Sequence, residues 1–172
     1  MHKTLLLLFF ITVFSSAAPA QIGGSKIYEF LNLPASARIT ALGGKHITVR
    51  DDDLAFAVAN PALLNDSMHN QLTFNHSFFI GDIGQGFAGY GRHSKKLNTT
   101  FLFGIQYINY GDFLNTDEFG NITGDFKASE NAITIGAGRS IYERLDIGAN
   151  LKVITSQFES YNSFGLTTDL SA

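Results

Sequence analysis

The side chains able to do chemistry in this 172-residue chain are few and scattered. Gly84-Gln85-Gly86-Phe87-Ala88-Gly89 spells G-x-G-x-x-G, a spacing that lets backbone approach a pyrophosphate at the head of a helix. That chemistry needs a helix after the glycines. Here they alternate through a strand-like segment, which favours close packing or strand curvature. His46, His69, His76 and His93 show no metal-ligand spacing, and His69 and His76, seven apart, fall on opposite faces if one strand carries both. Asp51-Asp52-Asp53 concentrates charge but lacks the alternating ligands and closing Glu of a calcium loop, so helix capping or contact with cations is expected of it. No G-x-S-x-G elbow occurs. With no Cys, a thiolate nucleophile, a thiolate metal site and a disulfide framework are all excluded. No catalytic, cofactor or metal residue is assigned, so these residues leave catalysis unsupported rather than excluded. What remains is a polar set, Gln106, Glu130, Asp146, Asn150, Lys152 and Asp169, whose meaning depends on the elements that carry it.

Those elements read as strands. From Gln71 onward, segments of alternating polarity are separated by Gly, Asn, Asp, Ser or Lys clusters. Leu72, Phe74, His76 and Phe78 share one face of Gln71 to Phe79. Phe101, Phe103, Ile105 and Tyr107 do so in Thr99 to Gly111, and Leu145, Ile147, Ala149, Leu151 and Val153 in Leu145 to Thr155. Phe164, Leu166, Thr168 and Leu170 repeat the rule, while Gly84 to Arg92 and Asp125 to Arg139 alternate more weakly. Six strands of about ten residues result, the length that crosses a bilayer as a tilted strand. A soluble β-sandwich also alternates, but its strands average nearer ~5–6 residues. The polar set falls on the faces opposite the apolar ones, as the hydrated interior of a barrel would.

The start of the chain reads as a secretory leader over residues 1–20: Lys3 is positive, Leu5 to Phe14 is nearly all apolar, and Ala18-Pro19-Ala20 offers small residues at a cleavage site before Gln21. A membrane anchor is the competing reading, but the run is about half the ~20 residues that a spanning helix needs. Lys3 is the only charged residue of the leader, so 11 basic residues face 15 acids in the rest, and no basic stripe exists for nucleic acid. Residues 21–70 differ from the strands. Tyr28 to Leu33 is a short amphipathic piece ended by Pro34, Gly43-Gly44 marks a turn, and Leu54 to Ala59 reads as a short helix stopped by Asn60-Pro61. The segment is too short and too apolar to stand alone, and a plug in a barrel would bury it.

The connections alternate in charge. With the first strand running outward, the turns His93 to Asn98 and Ser140 to Arg144, bordered by Arg92, Lys95, Lys96, Arg139 and Arg144, fall on the periplasmic side. The opposite rim receives Asp82, the turn near Glu159, and the longest loop, Asp112 to Asp125. Phe113, Asp117, Glu118, Phe119 and Asn121 of that loop are the expected partner-contact residues, by position alone. Tyr107, Tyr110, Phe113, Phe126, Phe158 and Tyr161 gather near the same rim, where an aromatic girdle is expected.

Taken in order, Tyr28 to Gly44 (YEFLNLPASARITALGG), Asp51-Asp52-Asp53, Asn60-Pro61-Ala62-Leu63-Leu64, Met68 to Leu72 and Ile105 to Gly111 (IQYINYG) resemble the PorV/PorQ family of outer-membrane proteins, which serve the type IX secretion system of Bacteroidetes. Gly43, Gly44, Asp51, Asp52, Asn60, Pro61 and Ala62 also resemble the plug motif of the wider FadL-like group. The resemblance implies an all-β transmembrane antiparallel barrel of about 14 strands with an N-terminal plug. It implies no enzyme activity and no cofactor. As partners it implies outer-membrane lipid and lipopolysaccharide, with the attachment-complex proteins PorZ, PorU and PorV. Transport of hydrophobic or small amphipathic solutes is the alternative that the FadL-like likeness carries. The expected organisation is a leader at 1–20, a plug at 21–70 and the first part of a barrel at 71–172, with the remaining strands lying beyond this sequence.

Overall fold

The computed structural model describes residues 27–44, 49–142 and 145–172. The expected leader, His46, Glu143 and Arg144 lie outside these. Six antiparallel strands follow one another in a meander: β1 Leu72–Phe78, β2 Gly84–Ser94, β3 Thr99–Thr116, β4 Ile122–Tyr142, β5 Leu145–Phe158 and β6 Tyr161–Ser171. Each pairs with the next in a register that keeps the expected faces together: Phe103 lies opposite Ile135, and Ile135 opposite Leu151. The sheet is one layer and is not closed into a barrel, since β1 and β6 stand at its two edges. No helix among the described residues is long and apolar enough to cross a membrane, which says nothing about crossing by strands.

Strand number matches the sequence reading; strand length does not. β3 runs 18 residues and β4 runs 21, because the expected loop Asp112 to Asp125 is mostly paired strand closed by a tight turn. Phe113, Leu114 and Thr116 in one arm and Ile122, Thr123 and Phe126 in the other suit extended backbone, and the chain reverses between them at Asp117 to Asn121, with Gly120 at φ 83°. A shift in register between Asn109 and Asp112 bends the pair there, with Gly111 at φ 83°.

Residues 27–70 cross one face of the sheet as short turns. The helix α1 (Ala37–Ala41) is capped by Ser36, whose side chain accepts from Ile39 N. Single 3-10 turns cover Glu29–Asn32, Leu54–Val58, Pro61–Leu63 and Asp66–Met68. Asn60-Pro61 does not simply stop a helix as expected. Asn60 caps a further turn, and Pro61 opens it, where its missing N–H costs nothing. Leu54, Phe56, Val58, Leu64 and Met68 of this segment, the expected plug, bury themselves against Phe87 and Leu102 of the sheet, and Phe30 does so against Ile108, Ala132 and Ile154.

The two faces differ in character. The covered face mixes the buried apolar Phe87, Leu102, Ile108, Ala132 and Ile154 with buried polar side chains, Gln85, Thr100, Gln106, Glu130, Thr134, Asn150, Lys152 and Ser156. The open face carries exposed apolar ones: Phe103 (49%), Ile133 (54%), Ile135 (50%), Leu151 (42%) and Leu166 (64%) lie side by side. The open face is thus the inverse of a sheet that covers its core on one side and turns polar side chains to water on the other.

Candidate functional site

The most developed polar structure is the seat of the plug. Short 3-10 turns leave their last carbonyls without intrahelical partners, and amide side chains of the sheet reach up to them. Asn150 Nδ2 donates to the Ala57 and Val58 carbonyls at 3.0 and 3.1 Å. Gln106 Nε2 donates to those of Phe30 and Leu33 at 3.0 and 3.4 Å, and Gln85 Nε2 to that of Pro34 at 3.4 Å. Ala62 N donates both to Asn60 Oδ1 and to Ser171 Oγ of β6. Beneath them Gly138 and Gly148 form a shelf on which the Pro61 peptide lies so close that a Cβ at either position would overlap it.

Ion pairs pin the ends. Arg38 pairs with Asp51, lies 3.8 Å from Asp53, and sits over the Phe56 ring at 5.4 Å. Arg50 reaches Asp146 on β5 at 2.7 Å. On the plug face Lys152 Nζ meets Asp169 Oδ2 at 2.7 Å, and Tyr110 donates to Glu130 at 2.6 Å. Each member of the expected polar set thus lies on the plug face. They do not converge: Gln106 and Asn150 hold plug carbonyls, Asp146 and Asp169 each serve a different cation, and Glu130 serves a phenol. A cleft of about 720 Å³ opens between the plug and β6, walled by Tyr28, Leu31, Ile39 and Val58 on one side and by Lys152 and Asp169 on the other.

The motif residues of the plug act through local geometry. Gly43 and Gly44, at φ 96° and 92°, end α1 by returning their N–H groups to Thr40 and Ile39. Asp51 accepts from Asp53 N, and Asp53 caps the turn Leu54–Val58 through Ala55 N, which is the capping role expected of the acidic run; Asp52 is exposed. Asn65, outside the motif, does the same for the turn Asp66–Met68 and donates to Asp51 O. Sequence reading gave no structural role to Ser36 and Arg38, although both lie in the run Tyr28 to Gly44 that carries the resemblance, and none to Arg50 or Ser171. Ser36 carries a readable cap signal. Arg50 carries none, because its partner lies 96 positions away on another element.

Gly84 to Gly89 lies wholly within β2, and its glycines make room for rings: a Cβ at Gly86 would overlap Tyr107, and one at Gly89 would stand 2.6 Å from Phe87. His69 follows the turn Asp66–Met68 and accepts from His93 N, so it shares no strand with His76. His76 stacks on Tyr107 across β1 and β2 to β3 on the open face, with Nδ1 2.8 Å from the phenol oxygen. Among the described residues no group of three or more His, Cys, Asp or Glu is placed to hold a metal ion.

The expected aromatic girdle is largely overturned by the register. Tyr107 faces outward, but Tyr110, Phe113, Phe126, Phe158 and Tyr161 turn to the side that carries the plug: Tyr110 bonds Glu130 and packs on Phe158, Phe158 lies opposite Ala128, and Phe113 stacks on Phe126 at 5.1 Å. The sequence reading grouped these rings by position near one rim; strand parity places Tyr110, Phe126, Phe158 and Tyr161 on the plug side, and the bulge at Tyr110-Gly111 turns Phe113 there as well. Asp117 organises the turn at the tip. Its carboxylate accepts from Asn121 Nδ2 and from the N–H groups of Asn121 and Phe119 at 2.8–2.9 Å, which holds it below the usual carboxylate range. Glu118 and Phe119 stand exposed on that turn.

Comparison of the chain with protein-family models, with curated proteins and with solved structures found no match.

Proposed function

We propose that this chain supplies plug and barrel wall to an outer-membrane protein of the PorV/PorQ type. In this reading it is a non-enzymatic scaffold that holds the cell-surface attachment complex of the type IX secretion system, with PorZ, PorU and PorV as partners. The observation that carries the membrane part is the inverted sheet. A dozen large apolar side chains on the open face retain from about a third to most of their exposure. At roughly 1 kcal/mol each for half-buried groups, leaving them in water forgoes on the order of 10 kcal/mol, comparable with the entire net stability of a domain. Hydrocarbon removes that penalty. Along β5 the apolar positions run from Leu145 to Val153, and polar Thr155 and Gln157 follow on the same face. Nine residues span ~27 Å along a strand, or ~20 Å of height at a ~40° tilt, near the ~25 Å apolar band of outer-membrane barrels. Arg92 and Arg139 border the other end of the band. In lipid the free edges of β1 and β6 demand pairing, which further strands of a closed barrel supply.

The secretion role rests on the sequence resemblance, and the fixed plug supports a scaffold over a conduit, since the five amide hydrogen bonds to plug carbonyls, the Ala62–Ser171 bond and the Arg50–Asp146 pair must part before anything passes. The cleft beside the plug favours a second reading, transport of hydrophobic or small amphipathic solutes. Deleting the gene separates the two. The scaffold reading expects secreted cargo to lose surface attachment; normal attachment with failed uptake of a hydrophobic compound reverses the choice.

A further inference from the structure

β2 stops pairing with β3 at Asn109, and β5 stops pairing with β4 at Ala128, yet β3 and β4 continue together for five more pairs, from Asp112–Lys127 to Thr116–Ile122. Beyond the sheet they form a two-stranded ribbon whose outer edges have no strand partner among the described residues. Two strands alone are marginally stable in water, and free edges in natural proteins are normally blunted by lysine, proline or cover. This ribbon has no proline, and its one lysine, Lys127, lies 3.5 Å from Asp112. Its charge is one-sided: Asp112, Asp117, Glu118 and Asp125 against Lys127 leave a net of −3. Leu114, Phe119 and Ile122 stand exposed along it.

We infer that the ribbon 112–127 is a docking arm that takes an extended, cationic strand of another protein by adding it to a free edge. Backbone groups of the edge provide the pairing, the acids select Lys or Arg on the incoming strand, and the exposed apolar side chains receive its alternate residues. The acids disfavour the phosphates of a lipid headgroup, so the occupant is protein rather than lipid. The inference rests on the scaffold reading only for the side from which the partner arrives, since edge, charge and apolar contacts are properties of the ribbon itself.

The test uses the full chain in non-ionic detergent and an end-blocked, alternating Lys-Val octapeptide as probe. Saturable binding is expected, weakened at least tenfold when alternate backbone amides of the peptide are N-methylated, and weakened at least tenfold by Glu118→Lys with Asp125→Lys, which instead favours a Glu-Val peptide. The N-methylated comparison needs no altered protein, so misfolding of the variant cannot mask the outcome. Equal binding of the methylated peptide, binding indifferent to the charge reversal, or absence of binding overturns the inference while leaving the membrane reading untouched. Micelles of anionic glycolipid binding through the same two acids also overturn it, assigning the arm to lipid.

Discussion

At Gly148 a single hydrogen decides whether the plug can sit, because the Pro61 peptide occupies the space a side chain needs. Gly148→Val keeps a good strand former in β5 but lifts Pro61–Leu63. Plug amides from Ala57 to Leu64 should exchange hydrogen faster, by an opening energy lowered by about 1–3 kcal/mol, while Ala149→Val on the other face leaves them unchanged. Asp117 gives a pH-dependent counterpart. Its folded pKa is depressed, first by the Asn121 amide and then by backbone N–H groups. The turn therefore has its full contribution above the ordinary carboxylate range and loses it as pH falls through the lowered value. A carboxylate titration by NMR should place Asp117 below the ordinary aspartate value, and Asp117→Ala should remove the acid-dependent loss of protection at Asn121. Residue faces were legible in the sequence because parity alone assigns them: Gln106, Glu130, Asn150 and Lys152 all lie where alternation put them. Their partners were not, since a hydrogen bond from Asn150 to Ala57 depends on how the plug crosses the sheet.

The strands were legible because apolar and polar residues alternate over whole segments, and the turns after β1, β2 and β3 carry Gly, Asn, Asp or Lys. The plug was legible as a distinct segment but not as a chain of 3-10 turns, since its turns of three to five residues are too short for any period to show. The β3–β4 ribbon was misread as a loop for a related reason: the bulge at Tyr110-Gly111 interrupts the alternation although pairing resumes at Asp112. That same bulge turns Phe113 to the plug side, whereas Tyr110, Phe126, Phe158 and Tyr161 lie there by the parity of their own strands, which grouping them by position near the rim did not apply. The strand faces themselves yield a direct prediction. Leu151→Arg, at the middle of the open-face band, should cost about 2–4 kcal/mol in folding into a bilayer, whereas Thr155→Arg, at its polar border, should cost about 0–1 kcal/mol. Urea titration of the protein refolded into lipid vesicles measures both. Equal costs at the two positions would deny the band a depth.

At the scale of the whole molecule the sheet has one face covered by residues 27–70 and another that no described residue covers. Outer-membrane lipid explains that asymmetry, and so would a second protein surface; the two differ in what reaches the open face. The chain has no Cys, so a single introduced Cys at Leu151, Ile133 or Gln157 carries a spin label alone. In the protein reconstituted into bilayers, the membrane account predicts that labels at Leu151 and Ile133 collide readily with dissolved oxygen and rarely with a water-soluble nickel chelate, and that the ratio falls toward Gln157. Nickel access at Leu151 and Ile133 equal to that at Gln157, or exclusion of both reagents as under a protein partner, would contradict it.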